Sequence, residues 1–383
     1  MKVLISLLLL TNILVVKAQI YPSFGNEIDV SINGLTFDAM EPFISANGNY
    51  LFFNNLNDGI DTKLFYASKI NDSTFNFVGE LNGTGQLSPT HLDAVADMDA
   101  SNHFYWTSTR NYPAELDNLF YGNFNSGNVT GIGRVHGNFN KNIPGWLVMD
   151  HGISYDGQLL YYNNARLDQN NCQGPCETEL GIAQKMNDST FSQISNSSAI
   201  LQTINDTNFI YYAPCISSDN LEFYYTRYPR DTITVNTLFE ICVAVRSTPT
   251  DHFSAPLALF SETIANLIEA PTLTTDKQIM YYHRKIPGSH KIVMRYRENS
   301  LAIETNKNES IRIYPNPASR QIGIQTNFNY QKMKVSIFTL LGIEALSVSN
   351  QSTIDISALA PGTYTVKLDI DGEVSIQKLI KIE

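Results

Sequence analysis

The sequence predicts an all-β chain built mainly from repeated four-stranded sheets, and three observations carry that prediction. A strand–turn–strand unit recurs five times between residues 38 and 297. A third strand follows each unit, and one polar turn into a fourth strand is echoed almost residue for residue.

The first copy runs Glu41-Pro42-Phe43-Ile44-Ser45-Ala46-Asn47-Gly48-Asn49-Tyr50-Leu51-Phe52-Phe53-Asn54-Asn55. The third places Ile153-Ser154-Tyr155-Asp156-Gly157 before Leu159-Leu160-Tyr161-Tyr162, and the fourth places Ile216-Ser217-Ser218-Asp219-Asn220 before Phe223-Tyr224-Tyr225. The fifth reads Leu273-Thr274-Thr275-Asp276-Lys277 and then Ile279-Met280-Tyr281-Tyr282. A weaker second copy is Asp99-Ala100-Ser101-Asn102-His103-Phe104-Tyr105-Trp106. Gly48, Asn102, Gly157 and Asn220 share one slot, because a short hairpin turn needs a positive φ that Gly and Asn tolerate best. Lys277 breaks the rule, so the fifth turn is expected to differ in type. The slots lie 54, 55, 63 and 57 residues apart, longer than the roughly 40–45 of common propeller repeats, so the extra length belongs in loops.

Third strands follow at Leu64-Phe65-Tyr66-Ala67, Leu119-Phe120-Tyr121-Gly122, Leu180-Gly181-Ile182-Ala183, Phe239-Glu240-Ile241-Cys242-Val243-Ala244 and Ile292-Val293-Met294. The run Asn71-Asp72-Ser73-Thr74-Phe75 recurs as Asn187-Asp188-Ser189-Thr190-Phe191 and reads as the turn into an outer strand. Four strands per repeat make the blade of a β-propeller. Five blades are expected; six is the alternative, needing a degenerate copy for which Gln19–Leu35 is too short. An open ring would expose sheet edges, so Ile28-Asp29-Val30-Ser31-Ile32 is expected to complete the last blade beside residues 291–296. Pairs such as Phe52-Phe53, Tyr161-Tyr162 and Tyr224-Tyr225 are expected to pack between blades. The repeat resembles the WD-repeat-like propeller repeats of the Tol-type periplasmic protein over about two thirds of the chain. The resemblance implies architecture and says little about function.

Both ends read as export signals. Met1-Lys2, the apolar run Val3 to Val16 and Val16-Lys17-Ala18 predict a signal peptide over 1–18. Its roughly 14 apolar residues fall short of the about 20 a membrane span needs, so no transmembrane anchor is expected. At the other end come Tyr314-Pro315-Asn316-Pro317, Lys334-Val335-Ser336-Ile337-Phe338, Ile354-Asp355-Ile356, Gly362-Thr363-Tyr364-Thr365-Val366-Lys367-Leu368 and Lys378-Leu379-Ile380-Lys381-Ile382. This order resembles the C-terminal sorting domain of the bacterial type IX secretion system. The resemblance implies a small C-terminal β-sandwich over 311–383, the type IX machinery as partner, and a secreted or surface location. Between them, 19–297 is the expected propeller and 298–310 a polar linker.

The formal net charge is −11, with the acidity concentrated in the middle. Such a surface repels phosphate backbones, so no nucleic-acid partner is expected. Four cysteines sit in a chain bound for an oxidising compartment. Cys172 and Cys176 flank Gln173-Gly174-Pro175, and a local disulfide is the preferred reading over a metal site, which lacks further ligands nearby. Cys215 and Cys242, in strand-like segments, are expected to be buried thiols.

Acids at the starts of innermost strands would crowd around the central channel: Asp38, Glu41, Asp93, Asp97, Asp150 and Glu269. Catalytic candidates are Glu41, Asp93, Asp150 and Glu269, since glycosyl transfer needs one carboxyl to donate a proton while another stabilises positive charge. They do not occupy equivalent slots, which favours solvated channel-mouth carboxylates, or a Ca²⁺ ion among them, over catalysis. Asp150 and His151 are adjacent and should face opposite ways. Gly-x-Ser-x-Gly and His-Glu-x-x-His signatures are absent, and no organic cofactor is expected. The favoured function is a non-catalytic module that binds a protein, peptide or glycan through the loops of one face, including Asp168–Thr178 and Pro229–Thr237. The alternative is a carbohydrate-active hydrolase using the channel carboxylates. A structural subunit of an envelope assembly is a third reading.

Overall fold

The repeated turn sets the geometry of the first part of the chain. In each copy an amide donates back across the turn: Gly48 to Ser45, Asn102 to Asp99, Gly157 to Ser154, Asn220 to Ser217 and Lys277 to Thr274. The five turn residues have φ of 70°, 66°, 71°, 60° and 61° in that order. Lys277 therefore adopts the same left-handed turn as the others, against the sequence expectation. Its ammonium lies 2.6 Å from Asp219 and 3.1 Å from Glu222 of the preceding repeat, and these ion pairs offset a backbone strain of about 1–2 kcal/mol. Lys277→Gly, which loses the pairs but relieves the strain, is expected to be about 1 kcal/mol more stable than Lys277→Ala, which loses the pairs and keeps it. Denaturant melts of the two variants check this.

The computed structural model describes residues 21–57, 61–84, 91–168, 172, 174–230, 233–298, 311–326, 330–339, 342–371 and 373–383. They fall into two compact units, one ending at Glu298 and the other beginning at Asn299. The expected signal peptide and nearly all of the expected linker lie outside the described residues.

The chain is all-β, with two short helical turns, Ser197–Ile200 and Ile264–Asn266. In the first unit, antiparallel sheets follow one another in chain order. Sheet 1 contains Met40–Ile44, Tyr50–Asn54, Leu64–Asn71 and Thr74–Glu80, and sheet 2 contains His91–Met98, His103–Ser108, Leu119–Asn125 and Asn128–Arg134. Sheet 3 is Trp146–Ile153, Leu159–Arg166, Glu177–Asn187 and Thr190–Gln193; sheet 4 is Phe209–Ile216, Glu222–Pro229, Leu238–Val245 and Leu257–Thr263. Sheet 5 supplies only Ile268–Leu273, Ile279–Ile286 and Ser289–Glu298 from its own repeat. The amino-terminal segment fills the missing edge: Ile28 pairs with Met294, Asp29 with Val293, and Ser23–Phe24 with Glu298 and Arg297. Ser31–Asn33 then crosses to run parallel to Thr74–Asn76 of sheet 1. One segment thus joins the outer edges of sheets 5 and 1.

Successive side chains of a strand point to opposite faces, so the fully buried aromatics of each second strand serve two interfaces. Phe52 packs with Phe104 and Trp106 of sheet 2, while Phe53 shares a core with Tyr281 of sheet 5. Tyr105 joins Tyr162, Tyr161 joins Phe223, and Tyr224 joins Tyr282. Each sheet therefore shares a core with the next, and the fifth with the first. Gly152 lies where sheets 3 and 4 meet: an added Cβ would come within 2.6 Å of the Pro214 carbonyl.

Each first strand also carries an irregularity at nearly the same place: between Met40 and Phe43, opposite Tyr105–Thr107, between Val148 and Asp150, between Tyr212 and Cys215, and between Glu269 and Thr272. Glu41, Val95, Ala213 and Ala270 there have φ near 50–57°. Such bulges re-aim side chains. The adjoining second-strand polar side chain reaches the next sheet: the Val95 amide donates to Asn54, Thr107 and Asn163 donate to the Val148 and Tyr211 carbonyls, and the Ala270 amide donates to Thr226.

The second unit holds two sheets around one core. Ile311–Tyr314, Gln321–Thr326 and Thr353–Asp355 form one, and Met333–Thr339, Glu344–Ser349, Gly362–Ile370 and Glu373–Lys381 the other. Ile322, Ile324 and Ile354 meet Val335, Ile337, Val366 and Leu368 between them.

Candidate functional site

Three of the four carboxylates singled out from the sequence, Glu41 from sheet 1, Asp150 from sheet 3 and Glu269 from sheet 5, line one open cavity of ≈ 510 Å³. A second hollow lies against it, sharing Glu41, Val95 and Asp150, and lined also by Asp97, His151, Cys215 and Thr272. Asp93 is not in the cavity. Ala94 and Val95 take the cavity-facing positions, and alternation turns Asp93 to the other side of the strand, where it is buried beside Trp106 Nε1 at 3.3 Å, His91 at 3.3 Å and Arg110 at 3.6 Å. Asp38 accepts from Ser289 at 2.7 Å.

The bulges explain how nonequivalent slots converge. Glu41 lies within its bulge and Asp150 closes the one in sheet 3, whereas Glu269 stands one position before the bulge Ala270-Pro271. The cavity wall is otherwise largely apolar, including Leu147, Met149, Tyr228 and Phe239, and the two longer connections contribute Gly174, Pro175 and Ile233. Cys172 and Cys176 form a disulfide across the first of these connections. Cys242 is a buried free thiol, while Cys215 is only half-buried, since it faces the channel.

The three carboxyls differ in environment. Burial, then the charges of Asp150 and Glu269, pushes Glu41 well above the ordinary carboxylate range; Asn57 donates to its Oε1 at 2.7 Å, and its Oε2 has no hydrogen-bond partner. Burial raises Asp150 to about 7 against the opposing hydrogen bond from the Ala213 amide, with Glu269 adding to the rise. Asp150 Oδ2 is buried and has no partner. Glu269 goes the other way: burial opposes its ionisation, but His283 and Tyr212 outweigh it and hold the carboxyl below its usual range. His283 Nδ1 lies 2.8 Å from Glu269 Oε1, Tyr212 donates to Oε2 at 2.7 Å, and His283 Nε2 meets His290 Nδ1 at 2.7 Å. His151 takes no part: burial lowers it to about 3, and its Nδ1 lies 3.5 Å from Thr107. Asp97, raised to about 7 by burial, accepts from the Ile153 and Met98 amides.

Among the described residues no three His, Cys, Asp or Glu side chains gather closely enough to hold a metal ion. The cavity carboxylates surround a space rather than chelate one point.

Tyr212, His283 and Asn57 were not among the sequence candidates. His283 had a signal, since it occupies the second-strand slot that Asn54, Thr107, Asn163 and Thr226 fill in the other repeats.

Residues 312–383 match the family described as the secretion system C-terminal sorting domain. This type IX sorting tail marks the chain for export to the cell surface or for secretion. Among the described residues no helix is long and apolar enough to cross a membrane. No curated protein matches the chain in sequence. Solved structures it is similar to include a thermostable family-43 glycoside hydrolase, at 12% identity over 78% of this chain and 95% of that one with a TM-score of 0.44. An α-L-arabinofuranosidase from Podospora anserina matches at 11% identity over 73% and 96% with a TM-score of 0.44, and TolB from Acinetobacter baumannii at 9% over 68% and 55% with 0.35.

Proposed function

We propose that the chain is an exported β-propeller of five blades whose carboxylate-lined cavity binds a ligand outside the inner membrane. In this reading residues 1–18 are a removable leader, 19–297 the propeller, 298–310 a linker and 311–383 the sorting tail. Support for five blades comes from the core shared by the fifth and first sheets and from the amino-terminal strand that fills the fifth. Support for the cavity comes from one observation above the others: Asp150 presents a buried, unpartnered carboxyl oxygen to it. An unsatisfied buried acceptor costs stability unless something occupies it in use. The ligand is a group on a protein, peptide or glycan, bound without turnover.

The contrast between the carboxyls favours a second reading. Burial raises Glu41 and takes Asp150 to about 7, while His283 and Tyr212 hold Glu269 below its usual range, a division that suits an acid and a charge-stabilising partner in glycoside hydrolysis.

A glycan and peptide array probed with the full mature chain, alongside the Asp150→Asn variant and turnover assays on aryl glycosides and any bound glycan, tests both. Binding that Asp150→Asn abolishes, without product, is the expected result. Product formation abolished by Glu41→Gln moves the assignment to the hydrolase. Binding that survives Asp150→Asn unchanged contradicts both.

A further inference from the structure

The geometry points to an organic cation, an amine or guanidinium carried on an apolar body, as the ligand of the carboxylate cavity. This rests on the binding reading above and names the ligand's class. The polar side chains lining the cavity are Glu41, Asp150, Glu269, Asn57, Thr107 and Thr109 and the phenols of Tyr212 and Tyr228; among the described residues no Lys, Arg or His side chain lines it. Its donors are all uncharged, and three carboxyl groups share the space with no cationic side chain in the described wall beside them. Two of them, Glu41 Oε2 and Asp150 Oδ2, are buried without a donor, and Glu269 is the carboxylate whose charge His283 and Tyr212 maintain. A desolvated cation gains most where several carboxyl oxygens face it in a low-dielectric space.

The walls define the rest of the ligand. Leu147, Met149, Tyr228, Phe239, Ile233 and Pro175 give the cavity an apolar surface and two aromatic side chains, and aromatic rings suit both an apolar body and a cation. The ≈ 510 Å³ volume falls within the roughly 300–1,000 Å³ of small-ligand pockets. A side chain or a small free amine fits; a bulky polymer backbone does not.

Proton linkage follows. The groups facing Asp150 are Glu41 from sheet 1, Tyr212 from sheet 4 and Glu269 from sheet 5 with His283 behind it; Asp97 and His151 line the adjoining hollow. Burial and the carboxylate neighbours raise Glu41 well above its ordinary range and Asp150 to about 7. A bound cation favours their ionised forms, so binding releases protons and tightens as pH rises through about 7.

Calorimetry on the full mature chain, in buffers of differing ionisation enthalpy, tests the inference with four probes: phenethylamine, its neutral counterpart 2-phenylethanol, the anion phenylacetate, and a short acetylated peptide with one lysine. The expected result is that phenethylamine or the peptide binds with proton release at pH 7 and at least tenfold more tightly than 2-phenylethanol, while phenylacetate does not bind. Whichever of the two cations is tighter identifies the source. Asp150→Asn weakens the cation at least tenfold, and so does Met149→Lys, which puts an internal ammonium in the cavity and keeps all three carboxylates. Equal binding of amine and alcohol, no cation binding at all, or cation binding indifferent to both variants overturns the inference. If a glycan from the array is lost in Asp150→Asn while neither cation binds, the cavity remains the binding site and only the cationic class falls. If Asp150→Asn changes the binding of nothing, both readings fall.

Discussion

A mature chain shortened to begin at residue 36 is expected to lose the cooperative unfolding of its first unit. The deletion removes the three short strands that finish the edge of sheet 5 and continue to sheet 1. It also removes Phe24, which packs edge-on to Tyr224 and Phe260 at 6.4 and 6.3 Å. Glu27 goes too, leaving Arg284 only Glu262 at 3.2 Å as ion-pair partner and Tyr282 without its carboxylate acceptor. Phe24→Ala alone should cost about 3 kcal/mol. The full deletion adds lost strand pairing and the loss of the stronger of two ion pairs of Arg284, and the total approaches the roughly 5–15 kcal/mol that holds a typical domain folded. Thermal unfolding by near-ultraviolet circular dichroism reads the result: the parent melts sharply and the shortened chain does not. A shortened chain that melts within a few degrees of the parent would show that the amino-terminal strands decorate the ring rather than close it.

The second large effect is a stability gain, and it depends on pH. Asp150 has a carboxyl pushed by burial from the ordinary 3.8 to about 7. Because the folded-state value lies above the unfolded one, its favourable contribution is complete below about 3.8 and is lost as pH rises through about 7. A displacement of that size corresponds to roughly 4 kcal/mol. His151 opposes it across part of the same range: lowered to about 3 by burial, it destabilises the fold as pH falls below the usual histidine value. The parent's own pH profile therefore mixes the two, and the informative quantity is the difference between parent and Asp150→Asn. The asparagine carbonyl can still accept from the Ala213 amide. The two proteins are expected to unfold together only near pH 3.5, while at pH 8 the variant is more stable by up to about 4 kcal/mol. Urea melts at both pH values decide it. A residue whose neutral replacement stabilises the fold and abolishes binding is one kept for function.

Much of the succession of sheets was legible because its repeat is written in turn chemistry. Gly48, Asn102, Gly157 and Asn220 mark one backbone conformation, and the aromatic pairs after them supply the cores between sheets. The partner of Ile28 was readable from the missing outer strand of the fifth repeat. Lys277 was misread because its φ is maintained by Asp219 and Glu222, which lie 58 and 55 residues away. The crossing of Ser31–Asn33 to sheet 1 had no sequence signal, since three polar-flanked residues in parallel pairing carry no periodicity.

The site was half legible. Glu41, Asp150 and Glu269 could be named as acids that crowd together at the starts of inner strands, but unequal slots argued against their acting together in catalysis. Bulges that displace side chains by one position brought them together, and bulges leave little trace in an isolated sequence. Alternation explains why Asp93 dropped out. That no basic side chain among the described residues lines the cavity depends on where Leu167, Pro175 and Ile233 come to rest, which loop composition does not fix. The protonation contrast depends on His283 and Tyr212, neither of which neighbours Glu269 in the chain.

The most direct test of the account is an infrared pH titration of protonated carboxyl groups in the parent and in Asp150→Asn, with no ligand present. The account predicts a carboxylic-acid carbonyl band in the parent that persists beyond pH 6 and disappears as pH rises through about 7. In Asp150→Asn the band should be smaller; the Asp97 part still titrates near 7, and the Glu41 part moves to lower pH because Glu41 has lost a negative neighbour. A parent whose band is gone by pH 5, or a variant whose band is unchanged, would contradict a cavity in which these carboxyls share one buried space.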